Sequence, residues 1–190
     1  MSATDRERWD ARHAAVGLGV PMPPDGLRGR LGLLPGGAEP GDRSGLPAGG
    51  RALDVACGRG AVAVWLAHQG FTVDAVDVSG TGLASARALA AAEGVPHVRF
   101  LEADLEAGLP VAGPYDLVVC QRYRDPALYP ALAAVLAPGG LLVLTVLSAV
   151  GDEGGRFRAV PGELARAFPQ LETLDHREGD GEATLLARRP

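Results

Sequence analysis

Two glycines follow an apolar run in the segment 53–60, which reads Leu-Asp-Val-Ala-Cys-Gly-Arg-Gly. Gly58 and Gly60 carry no side chain, so a ligand can approach the backbone closely at both positions. A helix that begins directly after them would present free amide N–H groups and the positive end of its dipole. The same residues also fit the loose dinucleotide pattern G-x-G-x-x-A, and a tight strand-to-helix turn would explain them without any ligand. Alone, the loop is a weak signal of a binding site.

Acidic residues stand at the ends of the next two apolar runs. Asp77 closes the second run, at about the distance from the glycines at which a carboxylate accepts both hydroxyls of a ribose. It could instead be an acid at a helix N-terminus, but Ser79 could cap that helix and leave Asp77 free for a ligand. After the third run, Asp104 could accept a hydrogen bond from an exocyclic amine, and Leu105 could pack on a purine face. Because any loop can contain an aspartate, this third element is uninformative by itself.

A polar group follows the fourth apolar run, and it consists of Gln121, Arg122, Tyr123 and Arg124. Arg122 or Arg124 could hold an anionic substrate, and Tyr123 could stack on one. The alternative is a polar entry to a helix in which Asp125 is the N-cap and Pro126 the first helical residue. That alternative explains Asp125 but leaves the two arginines and the tyrosine unexplained.

The elements that must position these residues alternate between strand and helix. Strands are predicted at 51–56, 72–78, 98–101, 115–120 and 141–147, helices at 3–16, 61–68, 79–93, 125–136 and 161–168, and a closing hairpin at 171–176 and 183–187. This alternation predicts an α/β fold: a Rossmann-like three-layer sandwich around a seven-stranded, mostly parallel sheet with an antiparallel edge hairpin. Such sheets bind ligands at the carboxyl ends of their strands, where the residues above are found.

The chain divides into two predicted parts, an N-terminal helix with a Gly/Pro-rich loop over residues 1–49 and the Rossmann-like domain over 50–190. Residues 17–49 show no periodicity, and a loop of that length inside a compact domain is often a mobile cover over a site. We therefore expect residues 17–49 to lie over or beside the cleft and to order further when a ligand binds.

Composition limits the classes of partner. With 190 residues the chain is about one domain, and a net charge of -5 without a basic run makes nucleic acid an improbable partner. Cys57 and Cys120 form neither a disulfide framework nor a metal-ligand spacing, and the four histidines are scattered, so no metal site is predicted. The sequence shows no signal peptide and no apolar run long enough to span a bilayer. We expect a cytoplasmic protein, monomeric or weakly dimeric, that does not bind membranes.

In their order and spacing, these segments resemble the class I methyltransferases that use S-adenosylmethionine. The matching segments are 53–60, Asp77, 103–105, 115–120 and 136–142. The resemblance implies S-adenosylmethionine as cofactor, with S-adenosylhomocysteine as product. The cofactor-binding positions that it implies within the domain are Asp54, Ala56, Cys57, Gly58, Gly60, Asp77, Val78, Asp104, Leu105, Cys120 and Gln121. Cys57 and Cys120 are interpreted there as small packing residues.

Within that family the chain is most similar to small bacterial methyltransferases of the tellurite-resistance and thiopurine type. These carry an N-terminal tryptophan segment like 9–13, although His13 stands where the usual residue is aromatic. The resemblance implies that Trp9 and Arg12 contribute to cofactor binding, with Arg12 near the methionine carboxylate. An anchored surface helix is the alternative explanation of both residues.

The predicted activity is methyl transfer to a small molecule through sulfur, oxygen or a metalloid oxyanion. Methyl displacement from a sulfonium needs alignment and exclusion of water more than an acid or base, and Arg122 and Tyr123 are the candidate catalytic residues. The family's Asn/Asp-Pro-Pro-Tyr sequence for planar amine acceptors is absent after the fourth strand. Two alternatives stay open: a nicotinamide-dependent oxidoreductase, against which Asp54 and Cys57 count, and a non-catalytic cofactor-binding regulatory domain.

Overall fold

The computed structural model describes residues 3–28, 50–151, 155 and 157–190 of the chain. Within these ranges, seven strands form one sheet: β1 (Arg51–Val55), β2 (Thr72–Asp77), β3 (Val98–Glu102), β4 (Tyr115–Gln121), β5 (Leu136–Leu147), β6 (Glu172–Gly179) and β7 (Glu182–Arg188). Their spatial order is β3-β2-β1-β4-β5-β7-β6. The first five strands pair in parallel, whereas β7 pairs antiparallel with both β5 and β6. The predicted seven-stranded Rossmann-like sheet with an antiparallel edge hairpin is confirmed.

Five α-helices accompany the sheet in the described ranges: α1 (Ala3–Ala14), α2 (Ala61–His68), α3 (Gly80–Ala92), α4 (Tyr129–Ala134) and α5 (Glu163–Ala167). Short 3-10 turns occur at Asp25–Leu27 and Leu105–Ala107. Among the described residues, no helix combines the length and the apolar character needed to cross a membrane.

The predicted bounds of α4 were wrong at both ends, and the predicted start of β5 was therefore wrong as well. The Asp125 carboxylate accepts the Ala127 amide at 3.0 Å in a local turn, so Asp125 does not cap a helix and α4 begins only at Tyr129. At the other end, the predicted helix position Leu136 already pairs with Tyr115 as a strand residue. A register shift then brings Leu117 opposite Leu141, where the sequence placed the start of the strand.

The two faces of the sheet carry separate apolar cores. Leu53 and Val55 of β1 point into the core under α4 and α5, whereas Ala52 points into the core under α2. The central strands are buried almost continuously, as expected of parallel strands covered on both faces. Among the described residues, the two faces of the sheet are therefore covered, and its strand ends and edges are left for ligands.

The N-terminal segment packs on the outside of this sandwich. α1 lies on α3, where the Asp10 carboxylate accepts the Ser79 hydroxyl at 2.5 Å and the Thr81 amide at 3.1 Å. Farther along, Leu27 is fully buried in the core under α2, and a Cβ added to Gly26 would lie 2.6 Å from Val143 Cγ1. The described part of the predicted cover is thus partly built into the domain. Residues 29–49 lie outside the described ranges, so the two-part division and the role of a cover stay predictions.

Candidate active site

A cavity opens at the carboxyl ends of β1, β2 and β4, under the side of α1. Its lining consists of Trp9, Arg12, His13, Ala56, Gly58, Asp77, Val78, Leu105, Gln121, Arg122 and Tyr123. Most of the residues predicted to form a site line this cavity. Six of them do not, namely Asp54, Cys57, Gly60, Asp104, Cys120 and Arg124. His13 lines it without having been predicted to.

The glycine-rich loop is shaped by close packing as much as by access for a ligand. Gly60 has a φ of 78°, and a Cβ added to it would lie 2.7 Å from the Cβ of Ala86 in α3. Glycine is therefore required there so that the loop can pack on α3. At Gly58, with a φ of 53°, an added Cβ would meet the His13 ring at 3.4 Å, inside the space that the cavity uses.

The carboxylate of Asp77 connects the ends of β1 and β2. Its Oδ2 accepts the Gly58 amide and its Oδ1 accepts the Ser79 amide, each at 2.8 Å. Ser79 caps α3 as predicted, since its hydroxyl accepts the Gly82 amide at 2.9 Å. The expectation that this cap leaves Asp77 free was wrong, because Asp77 is engaged by two backbone donors. Each carboxylate oxygen still has a second lone pair for a ligand hydroxyl.

Asp54 lies behind the loop as a buried acid. It is 2% exposed, and its Oδ2 has no hydrogen-bond partner among the described residues. Burial, together with the charge of Asp77, raises the pKa of Asp54 to about 8, although a hydrogen bond from the Ala63 amide acts in the opposite direction. With that pKa, Asp54 is mostly protonated near pH 7 and is a buried neutral acid behind the loop.

Two residues with left-handed backbones follow the two central strands. Ala56 has a φ of 57° directly after β1, and Arg122 has a φ of 59° directly after β4. The strand order reverses between these two strands, which is the point where open α/β sheets bind ligands. The left-handed conformation costs a residue with a Cβ roughly 1–2 kcal/mol. Backbone strain is thus concentrated beside the cavity, as is common at functional sites.

α1 forms one wall of the cavity with two aromatic rings and a guanidinium group. Trp9 and His13 stack with centroids 5.8 Å apart, and the Arg12 guanidinium lies 5.3 Å from the Trp9 ring centroid. Burial lowers the pKa of His13, and the charges of Arg59 and Arg12 act in the same direction against those of two carboxylates. His13 is therefore neutral near pH 7. The four-residue spacing from Trp9, which puts both rings on one helix face, was the signal that could have identified it.

The loop after β4 forms the opposite wall. Gln121, Arg122 and Tyr123 line the cavity, and their roles stay predictions. The suggestion that Arg124 could hold an acceptor was wrong, because its guanidinium makes a bidentate contact with Glu163 at 2.8 and 2.7 Å. Tyr129 donates to the same carboxylate at 3.0 Å. Arg124 therefore ties the loop to α5.

The residues after β3 and the two cysteines lie next to the cavity, and of these only Leu105 lines it. The Asp104 carboxylate accepts the Glu106 amide at 3.0 Å and caps the short turn that carries Leu105. Burial raises the pKa of the Cys57 thiol and of the Cys120 thiol, so both remain protonated and suit packing better than nucleophilic catalysis. The described residues contain no group of three or more potential metal ligands.

Comparison with known proteins agrees with this geometry. Residues 52–140 match the family described as methyltransferase domain. The chain is 37% identical over 104 residues to a ubiquinone biosynthesis O-methyltransferase of Caulobacter sp. strain K31, covering 52% of this chain and 41% of that protein. It is 39% identical over 99 residues to the ribosomal protein L11 methyltransferase of Thermus thermophilus, covering 51% of this chain and 38% of that protein. The chain thus spans less than half the length of either relative.

The fold has a solved counterpart. TehB from Haemophilus influenzae superposes with a TM-score of 0.67 at 19% identity, covering 76% of this chain and 59% of that one. The family match spans the glycine-rich loop, Asp77 and the segment after β4, in the order in which they line the cavity. Residues 52–140 are thus similar to a methyltransferase domain, and the sheet that contains them shares its fold with TehB.

Proposed function

We propose that the protein transfers a methyl group from S-adenosylmethionine to a small-molecule acceptor. The observation that carries the proposal is that one cavity is lined by two groups of residues. Gly58, Asp77 and Leu105 belong to the cofactor motifs, whereas Arg122 and Tyr123 follow β4 and belong to none of them. A cofactor and an acceptor would therefore meet in a single cavity, as direct methyl transfer requires.

The residues present fit the cofactor in three places. Asp77 retains acceptor capacity for ribose hydroxyls, Leu105 offers an apolar surface to the adenine, and Arg12 offers a guanidinium to the methionine carboxylate. When bound, S-adenosylmethionine supplies an electrophilic methyl group: the sulfonium C–S bond breaks, its electron pair stays on sulfur, and the acceptor's lone pair forms the new bond.

The chain's own residues would align the acceptor and exclude water. Trp9 and His13 cover the cavity from the α1 side, and Tyr123 packs against the core on the other side. Burial raises the pKa of Tyr123, so its hydroxyl stays protonated and acts as a donor or a contact surface. The proton lost by the acceptor passes to water or to neutral His13.

A small acceptor is favoured because α1 narrows access to the cavity. α1 packs on α3 and contributes three lining residues, so an acceptor must fit between α1 and the loop after β4. One relative is named for ubiquinone biosynthesis and the other for a ribosomal protein, so relatives of this chain differ in their acceptors. The restricted access beside α1 and the net charge of -5 favour a small molecule over a protein or RNA.

Two measurements test the proposal. Calorimetric titration should detect binding of S-adenosylhomocysteine and no binding of NAD, whereas the reverse result would support the oxidoreductase alternative. The protein should then be incubated with methyl-labelled S-adenosylmethionine and a cell extract divided by ultrafiltration. Label transferred to the low-mass filtrate is the expected result. Label transferred to retained protein or RNA would contradict a small acceptor, and cofactor binding without any transfer would support a regulatory domain.

A further inference from the structure

Charge divides the cavity into two unlike ends. Asp77, at the end of β2, is the one carboxylate among the described residues that line the cavity. The remaining charged lining residues are Arg12 and Arg122, which can only donate hydrogen bonds. If Arg12 binds the cofactor carboxylate, Arg122 is left for the acceptor. The part of the cavity formed by the loop after β4 therefore favours an anionic ligand.

The second observation is an unsatisfied donor beside that arginine. The side-chain amide nitrogen of Gln121 is buried and has no hydrogen-bond partner among the described residues. Leaving such a donor unpaired in the interior is unfavourable, so a ligand oxygen at this position would be stabilised. Gln121 lines the same cavity as Arg122.

The backbone explains how consecutive residues present their side chains to one cavity. In an extended strand, neighbouring side chains point to opposite faces. The left-handed φ of 59° at Arg122 interrupts this alternation. The Arg122 amide donates to the Thr145 carbonyl at 2.7 Å, and this hydrogen bond holds the residue against β5. As a result Gln121, Arg122 and Tyr123 all line the cavity.

Arg122 is engaged by a contact that a substrate can replace. Its guanidinium lies 3.2 Å from Glu182 of β7, and the two side chains are 66% and 40% exposed. An ion pair with that exposure contributes little stability. A carboxylate bound bidentately inside the cavity would make stronger contacts with the same planar guanidinium.

We propose that the acceptor is a small organic acid whose carboxylate binds Arg122 and the Gln121 amide while its apolar body packs against Tyr123. This inference rests on the proposed function. The carboxylate is an anchor, and the methyl group goes to a different oxygen, sulfur or nitrogen of the same molecule. That atom loses its proton as its lone pair forms the bond to carbon, and S-adenosylhomocysteine leaves.

The test begins with protein that is first shown by calorimetry to bind S-adenosylhomocysteine. If it does not bind, the proposed function fails. With the cofactor product bound, benzoate, the neutral isostere benzamide and inorganic phosphate are each titrated and followed by NMR. Benzoate should bind roughly tenfold tighter than benzamide, since only benzoate can pair with a guanidinium. Equal binding of benzamide would overturn the proposal, and so would displacement of benzoate by an equal concentration of phosphate.

Variants locate the anchor. Arg122→Gln should remove the preference for benzoate while affinity for S-adenosylhomocysteine stays within about twofold, and Gln121→Leu should weaken the preference. Glu182→Gln should strengthen benzoate binding because it removes the competing carboxylate. The matched control is Arg177→Gln, since Arg177 is 67% exposed, pairs with Asp175 and does not line the cavity. A preference that survives in Arg122→Gln overturns the assignment.

The rate of methylation provides a second test. Phenol, thiophenol and aniline are each compared with the same compound carrying a para carboxylate. The carboxylate member of each reactive pair should be methylated faster, and Arg122→Gln should abolish that difference. Formation of methyl benzoate from benzoate would make the carboxylate the methylated group and would overturn its role as an anchor.

Discussion

The Oδ2 atom of Asp77 lies 2.8 Å from the amide nitrogen of Gly58, so the acid that ends β2 holds the first glycine of the loop after β1. The position expected to bind ribose is therefore also a structural connection between two strands. Its two roles can be separated by substitution.

Asp77→Ala should weaken S-adenosylhomocysteine binding about tenfold to a hundredfold, because ribose hydroxyls lose their acceptor in a partly buried cleft. It should also lower the free energy of unfolding by about 1–2 kcal/mol, since the Gly58 and Ser79 amides lose their partner. Calorimetry and urea denaturation measure the two effects.

Asp116→Ala is the control, because Asp116 accepts the Arg51 amide at 2.7 Å and does not line the cavity. That variant should lose stability and retain affinity. Unchanged affinity in Asp77→Ala would remove Asp77 from the cofactor site.

Asp54→Asn should change how stability depends on pH. Burial raises the pKa of Asp54 to about 8, above the value of an unfolded aspartate near 3.8, so the folded state binds the proton more tightly. The stability that this proton provides is complete below the unfolded pKa and is lost as pH rises towards 8. The wild-type protein should therefore lose stability between about pH 5 and pH 8 to a degree that Asp54→Asn does not. Urea denaturation across that range measures it, and parallel curves would contradict the buried, unpaired state of Asp54.

Ala56→Gly should stabilise the ligand-free protein. The φ of 57° at Ala56 strains any residue with a Cβ, and glycine adopts it freely. After subtraction of the entropy that glycine loses on folding, the expected gain is about 0.5–1 kcal/mol. Ala52→Gly is the control, because Ala52 is buried in the extended part of the same strand and its substitution should destabilise. Differential scanning calorimetry compares the two, and a lower melting temperature for Ala56→Gly would argue against strain.

Asp10→Ala should loosen α1 and, with it, one wall of the cavity. Asp10 accepts the Ser79 hydroxyl and the Thr81 amide at the start of α3, and α1 carries the lining residues Trp9, Arg12 and His13. Hydrogen exchange in α1 should accelerate, and S-adenosylhomocysteine affinity should fall roughly threefold to tenfold. Exposed Glu7, on the same helix, gives the control variant Glu7→Ala. If exchange accelerates and affinity does not change, α1 is not part of the cofactor site.

The sequence was informative where function depends on short-range order. Strand ends, the glycine positions and Ser79 as a helix cap all follow from local pattern, so Asp77, Leu105 and Gln121 were identified as neighbours of one cleft. The parallel order also explains why residues far apart in the chain meet, because the carboxyl ends of parallel strands share one edge.

The sequence was uninformative where a side chain is satisfied by a distant residue. Nothing near Arg124 indicates that Glu163 will bind its guanidinium, and the same is true of the Asp77 contact with the Gly58 amide. The position of His13 over the glycine loop depends on how α1 docks, which periodicity does not specify. α4 was overextended because helix propensity does not reveal that Asp125 will bind the Ala127 amide instead.

The position of β7 between β5 and β6 imposes an order on synthesis and folding. The apolar residues 141–147 of β5 are synthesised before β7, the strand that pairs with their outer edge. β7 is not available until residues 148–181 have also been synthesised. During that interval a nascent chain exposes an unpaired Leu- and Val-rich edge, which is the kind of surface that templates aggregation. Chains interrupted before residue 182 would keep that edge permanently. Ribosome stalling just before β7 should therefore yield insoluble product, although every cofactor motif has already been synthesised.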